Sequence, residues 1–209
     1  MNKIFGIFIL VFIGSFLIGA DQPTVSSPSG ENPMKLEKAT FAAGCFWCTQ
    51  ATFDKLKGVK STRAGYTGGQ KKNPTYQEVC SGTTGHAEAV EVTYDPQEVS
   101  YEQLLHAFWR SINPTQKNQQ FYDEGPQYRT VIFYHNEDQK RLAEESRDAL
   151  SRSGKFSEPI VTEIAPVTDF YPAEEYHQEY YKKNPTHYNF YNAASGRAQY
   201  EKKIWDQKQ

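Results

Sequence analysis

Along this chain, short apolar runs alternate with mixed stretches in which apolar residues return every three or four positions. Residues 38–43 (KATFAA) are apolar-rich and stop at Gly44, which predicts a strand. Apolar positions at Phe46, Trp47, Ala51 and Leu56, with Phe53 between them, predict a helix closed by Gly58. Residues 59–66 predict a second strand running into a Gly68-Gly69 turn, and Ala87–Tyr94 (AEAVEVTY) alternates imperfectly as a third, stopped by Asp95-Pro96. Ser100 and Gln103 form a capping-box pattern ahead of Leu104, Leu105, Phe108 and Trp109, so a helix starts there and breaks at Asn113-Pro114. Gln127–Tyr134 is the clearest strand, and Asn136 caps a long helix to about Arg152. Pro159–Val167 predicts another strand, and Pro172–Lys183 a short helix opened by its proline. The polar stretch 193–209 reads as a surface helix or a loose tail. Two strands follow one another after the first helix, which predicts a single α+β domain with a mixed sheet and helices packed on it.

The first twenty residues do not follow this pattern. Lys3 precedes an almost purely apolar run from Ile4 to Ile18, and Gly19-Ala20 gives a small-residue end before Asp21, the layout of a signal peptide. An uncleaved anchor is the alternative, but the run is at or below the lower limit for a membrane span. Either way the domain is expected to be exported, to a periplasmic or secreted location. Residues 21–37, rich in Pro, Ser and Gly near their start, read as a flexible linker to a domain over 38–192.

Composition changes the picture in two places. A net charge of −2 gives no electrostatic case for a nucleic-acid partner. Three Cys in 209 residues cannot make a disulfide scaffold, and the odd count leaves at least one thiol free or paired outside the chain.

The candidate chemistry begins at Gly44-Cys45-Phe46-Trp47-Cys48, between the first strand and the first helix. A sulfur at a helix N-terminus faces free N–H groups that favour the thiolate. Gly44 removes a side chain next to the sulfur, which opens an approach for substrate. Cys48 lies one helical turn away, within reach for a disulfide. Zinc is disfavoured because no second Cys pair or close His pair completes four ligands. A static disulfide here closes a very short loop and gains little. A thioredoxin-like oxidoreductase shares the geometry, but Phe-Trp between the sulfurs suggests the wall of an apolar pocket. Further along, Glu88 falls between small residues at the start of an apolar strand. Its carboxyl is either partly buried, with a raised pKa suited to giving a proton, or turned outward to solvent; the pattern leaves both open. Cys80 reads as a small buried hydrophobe. Tyr128, in a turn leading into the clearest strand, is an edge aromatic or a pocket hydroxyl.

These segments resemble the peptide methionine sulfoxide reductase A family. Gly-Cys-Phe-Trp (44–47), Gly-Tyr-Thr-Gly-Gly (65–69), Asn-Pro-Thr-Tyr (73–76), Cys-Ser-Gly-x-Thr-Gly-His-Ala-Glu-Ala-Val (80–90) and Gly-x-Gln-Tyr-Arg (125–129) stand in family order. Thr-Glu-Ile (162–164) and Phe-Tyr-x-Ala-Glu-x-Tyr-His-Gln (170–178) fit as well. The resemblance runs from about Thr40 to about Tyr191 and implies reduction of methionine-S-sulfoxide, free or in proteins. It maps the nucleophile onto Cys45, the acid onto Glu88, two hydroxyl donors onto Tyr76 and Tyr128, the methyl pocket onto Phe46 and Trp47, and a supporting carboxylate onto Asp123. It implies a two-layer sandwich related to the ferredoxin-like arrangement, a monomer, and no metal, flavin or nucleotide cofactor. Electrons would come from a thioredoxin-like protein or another dithiol, outside the cytoplasm if the domain is exported. Many relatives resolve the sulfenic acid with Cys residues near the C-terminus, and this chain has none after Cys80. Cys48 is then the expected resolver, with an outside thiol or Cys80 as alternatives. Two rival functions remain at this level: a general thiol–disulfide oxidoreductase on Cys45 and Cys48, and a non-catalytic binding module with a structural disulfide.

Overall fold

The computed structural model describes residues 35–206, so the leader and nearly all of the linker lie outside the described residues. In chain order the elements are β1 (Glu37–Ala43), α1 (Phe46–Phe53), β2 (Val59–Thr67), α2 (Tyr76–Cys80), β3 (Ala87–Tyr94) and α3 (Tyr101–Ser111). A small hairpin of β4 (Gln119–Gln120) and β5 (Asp123–Glu124) and a 3-10 turn at Pro126–Tyr128 lead into β6 (Thr130–Tyr134) and α4 (Glu137–Arg152). After β7 (Glu163–Pro166) and β8 (Tyr171–Pro172) come a 3-10 turn at Glu175–His177, α5 (Tyr180–Lys183), α6 (Pro185–Ala194) and α7 (Arg197–Trp205). No helix among the described residues is long and apolar enough to cross a membrane.

Six strands form one sheet in the order β7-β6-β1-β3-β2-β8, antiparallel except for the parallel pair β6 and β7. Its inner four strands, β6-β1-β3-β2, have the strand order and helix crossovers of a ferredoxin-like split βαβ sandwich. The period-2 rule assigns the faces. Ala39, Phe41 and Ala43 of β1 and Val90, Val92 and Tyr94 of β3 join Phe53 of α1 and Leu104, Leu105 and Phe108 of α3 in the main core. Phe41 stacks on Phe53 at 4.8 Å and on Phe108 at 5.4 Å, so truncating it to Ala would cost about 3–5 kcal/mol. The other face of β1 and β3 is lined by Ala42, Ala87 and Ala89 and is covered by Ala165, Val167 and Phe170. Burial on both faces explains why the alternation of β3 is imperfect in the sequence.

The capping box on α3 is present in full, Ser100 accepting from the Gln103 N–H and Gln103 from the Ser100 N–H, and Asn136 caps α4. Four expectations need correction. Helix α1 ends at Phe53 rather than Leu56. Strand β6 starts at Thr130, because Pro126 opens a 3-10 turn that takes Gln127 and Tyr128 out of the sheet. The stretch 159–167 is a strand only at Glu163–Pro166. Residues 172–183 are not one helix: Tyr171-Pro172 pairs with Gly65-Tyr66 at the sheet edge, where a proline without N–H is tolerated. Gln178 then ties the following turn to the backbone of Ala64.

Candidate active site

The site forms where β1 gives way to α1. Gly44 turns the chain with φ +80°, a conformation that favours glycine. A Cβ at Gly44 would stand 2.5 Å from Cβ of Gln120 and 2.8 Å from Nη2 of Arg197. The missing side chain therefore makes room for packing, which corrects the expectation that it opens a path for substrate. Cys45 follows as the N-cap residue, its carbonyl accepting from the N–H groups of Cys48 (3.1 Å) and Thr49 (3.2 Å). Its sulfur thus stands at the positive end of α1, and Cys48 follows one turn on. Both are buried and free.

Glu88 shares its face of β3 with Val90, Val92 and Tyr94, so period 2 carries its carboxyl into the core layer beneath α1. The outward alternative is excluded by its 1% exposure. The Phe46 N–H donates to Glu88 Oε2 at 2.9 Å, which fixes the carboxyl one residue from Cys45. Burial pushes this carboxyl up to about 8, Asp123 and Cys48 add to the shift, and the Phe46 N–H opposes it. Glu88 is therefore largely neutral at pH 7.

Tyr76 and Tyr128 are half-buried. Burial raises both phenols, and the nearby Glu88 raises them further, so both remain hydroxyl donors. Tyr76 is placed by α2, whose N-terminus carries a full capping box on Thr75 and Glu78. Trp47 is half-exposed, stacked on Tyr180 at 3.9 Å and edge-on to Tyr191, and its indole N–H donates to His177 Nδ1 at 3.0 Å. Phe46 is 1% exposed and lies among Tyr66, Tyr76 and His177, so it backs the pocket from within the core instead of forming an open wall. Asp123 accepts from the Tyr191 hydroxyl at 2.5 Å and lies 3.7 Å from Arg197 Nη2. Cys80 is half-buried, not fully buried as expected, and sits one turn from Tyr76.

The two sulfurs of α1 behave as a pair. Burial, then a hydrogen bond with Cys48, pushes the Cys45 thiol up. That hydrogen bond draws Cys48 down to about 7, against burial and with help from Arg197. From sequence, the helix end favours the thiolate on Cys45. In the resting site burial outweighs that effect at Cys45, and Cys48 is the more readily ionised of the two sulfurs.

Three residues here carry no role in the sequence reading. Glu174 accepts from the Tyr76 N–H (2.9 Å) and the Tyr66 hydroxyl (2.8 Å), and so fixes α2 against the sheet. His177 is buried and orients Trp47. Both fall in the 170–178 motif, which is where a signal existed. Arg197 is 8% exposed and donates to Ala43 O and Ser111 O; it lies in the stretch read as a tail, where sequence offers no hint of an inward side chain. Among the described residues no cluster of three or more His, Cys, Asp or Glu could hold a metal ion.

Comparison with known proteins agrees in one direction. A family model described as peptide methionine sulfoxide reductase matches residues 37–209. The peptide methionine sulfoxide reductase MsrA of Listeria innocua is 56% identical over 170 residues, covering 81% of this chain and 96% of that protein. The crystal structure of Mxr1 from Saccharomyces cerevisiae in reduced form aligns with a TM-score of 0.69 and 33% identity, over 74% of this chain and 89% of that one. Mxr1 in complex with Trx2 aligns with a TM-score of 0.50 and 22% identity, over 75% of this chain and 92% of that one, a likeness of fold.

Proposed function

This chain belongs to the peptide methionine sulfoxide reductase family and reduces methionine sulfoxide with thiols as reductant, and we propose the following roles for its residues. The Cys45 sulfur attacks the sulfoxide sulfur, and the N–H groups at the start of α1 stabilise the charge it carries as it does so. Glu88 gives its proton to the oxygen. One observation carries this reading: the proton donor is hydrogen-bonded to the residue that follows the nucleophile, and burial keeps it loaded up to about pH 8. Tyr76 and Tyr128 donate to the same oxygen. Trp47, braced by Tyr180 and His177, offers the apolar surface for the S-methyl group, with Phe46 behind it. A chiral sulfur gripped at its methyl by an apolar wall and at its oxygen by donors fits in one hand only, which supports the S epimer. Asp123 holds Tyr191 against the edge of Trp47. The balance is Cys45 thiol plus sulfoxide giving thioether plus Cys45 sulfenic acid.

Cys48 resolves that acid as an intramolecular disulfide. Its support is proximity, since Cys48 follows Cys45 by one turn of α1 and both are buried at the same site. The yeast protein Mxr1 is known in complex with Trx2, and for this chain we propose a thioredoxin-like dithiol donor. If the leader exports the domain, that donor works outside the cytoplasm. We take the enzyme to be a monomer with no prosthetic group.

Epimer-resolved reduction of a methyl sulfoxide tests the reading. Wild type should consume one epimer, Cys45→Ser neither, and Glu88→Gln should be slowed about 100-fold or more. Equal consumption of both epimers, or turnover surviving in Cys45→Ser, would overturn it. N-terminal sequencing of the mature protein, in the fraction where it is found, tests export and cleavage together.

A further inference from the structure

The residue that the proposed chemistry leaves unexplained is Arg197. It opens α7 directly after Gly196, whose φ of +75° turns the chain inward. Its guanidinium lies over the Phe121 ring at 4.7 Å. Nη1 donates to the carbonyls of Ala43 (3.3 Å) and Ser111 (3.2 Å). Nε and Nη2 are buried and have no hydrogen-bond partner among the described residues. Nη2 reaches the edge of Gly44, and its nearest carboxylate oxygen, on Asp123, is 3.7 Å away, beyond hydrogen-bond distance. A buried guanidinium with unpaired N–H groups is costly unless an anion faces it. Arg197 and Cys48 line one cavity of about 230 Å³, together with Thr49, Tyr188 and Asn192. The other cations at that cavity are otherwise engaged or outside: Arg110 pairs with Glu201 and Asp206, and Lys55 is exposed.

We propose that Arg197 holds Cys48 as a thiolate, so that the C-terminal helix supplies the counter-ion for the thiol that resolves the sulfenic acid. This rests on the assignment of Cys48 as resolver and makes Arg197 a positioning residue. The groups facing Cys48 are the Cys45 thiol, the Tyr188 hydroxyl, Arg197, Asn192, whose Oδ1 accepts from the Cys48 thiol form at 3.7 Å, and, at longer range, Asp123 and Glu88. Among these Arg197 is the sole cation. In the step it serves, the Cys48 thiolate attacks the sulfur of Cys45–SOH. An S–S bond forms and the S–O bond breaks. The hydroxide takes up a proton, from Glu88 or solvent, and leaves as water. Cys48 is oxidised and the Cys45 sulfur reduced.

Two measurements test this. The first is the pH profile of Cys48 alkylation by iodoacetamide in a Cys45→Ser/Cys80→Ser background, where the serine hydroxyl replaces the Cys45 thiol as donor. Adding Arg197→Met should raise the midpoint by about one unit, a tenfold loss of thiolate at neutral pH, and Arg197→Lys should recover most of it. The second is a single turnover with one equivalent of methyl sulfoxide and no donor, quenched in acid. In Arg197→Met, Cys45–Cys48 disulfide closure should slow about tenfold relative to methionine formation in the same samples, and the gap should narrow at pH 9. Circular dichroism melts identify variants that have merely unfolded; Arg197→Lys, which keeps the charge, then carries the comparison. An unmoved alkylation midpoint, or closure and methionine formation that slow together at every pH, overturns the proposal. A wild-type enzyme that closes no Cys45–Cys48 disulfide instead removes the resolver assignment, whatever the alkylation profile gives.

Discussion

Replacing Glu88 by Gln separates the proton from the shape. The folded carboxyl titrates near 8 against an ordinary 4.5. Between those values the folded chain binds a proton that the unfolded chain has released. The contribution of Glu88 to stability is therefore fully present below about 4.5 and is lost as pH rises through about 8. A full pH unit in that window is worth about 1.4 kcal/mol, so from pH 5 to pH 8 the wild type should lose roughly 3.5 kcal/mol relative to a side chain that cannot titrate. About 2.5 kcal/mol of this falls between pH 5 and 7, and because Cys48 is present in both proteins its own titration largely cancels in the comparison. At about 2–4 °C per kcal/mol for a domain of this size, the gap in Tm between Glu88→Gln and wild type should shift by about 10 °C across the range, in favour of the variant. Gln keeps the acceptor for the Phe46 N–H but leaves its own amide N–H groups unpaired, a pH-independent cost of about 1–3 kcal/mol that sets the offset and not the slope. Thermal melts of both proteins at pH 5, 6, 7 and 8 measure the slope. The same variant should be about 100-fold slower at pH 7 because it has no proton to give. Melting curves that stay parallel over pH 5–8 would refute the account of Glu88 as a buried neutral acid.

Other consequences can be checked separately. Cys48→Ser should still yield one methionine per enzyme in a single turnover but accumulate a Cys45 sulfenic acid that dimedone traps; an intramolecular disulfide in that variant would exclude Cys48 as resolver. Gly44→Ala combines a positive φ with contacts of 2.5 and 2.8 Å and should lower stability by about 1–3 kcal/mol, read as a drop in Tm. Ser100→Ala removes one half of the α3 capping box and should cost about 1 kcal/mol with kcat/KM unchanged, since it is the opposite end of α3, at Ser111, that meets the site. In wild type, the rate of sulfoxide reduction should fall as pH rises through about 8, where Glu88 loses its proton.

What the sequence disclosed follows the range over which its signals act. The Ser100 and Asn136 caps, the β1–α1 junction and the strand at Ala87–Tyr94 are set by neighbours within a few residues, and all are present. Glu88 could be placed in a strand but not on a face, because β3 is buried on both sides and its residue pattern does not distinguish them. Residues 172–183 looked helical because Pro172 is a good helix opener. Its pairing with Gly65 and the Gln178 bonds to Ala64 are long-range and win over that local preference. Arg197 is the extreme case. It meets Ala43, more than 150 residues earlier, and its own neighbours in the chain, Gly196 and Ala198, carry no sign of it.

That long-range contact also bears on how the site holds its protons. Glu88, Asp123, Cys45 and Cys48 all lie within electrostatic reach of one buried cation. Two like charges about 4 Å apart repel by about 4 kcal/mol at a surface-like dielectric, and by more when buried. One arginine cannot neutralise four anions, so the site must keep protons on the members whose burial is least offset by partners. Those are Glu88 and Cys45, each raised first by burial. Cys48 is buried as well, but its hydrogen-bond partner Cys45 and the nearby Arg197 favour charge there. The resting site thus stores one proton on the acid that meets the sulfoxide oxygen and a second on the sulfur that attacks, with Cys48 one turn away and able to take that second proton as the attack begins. Adding a positive charge near Glu88 would break this arrangement from the acid side, by ionising the carboxyl. Removing Arg197 would break it from the thiol side, by protonating Cys48. The two perturbations should therefore move opposite limbs of the pH profile: the first lowers the alkaline limit set by Glu88, and the second raises the pH at which the disulfide closes.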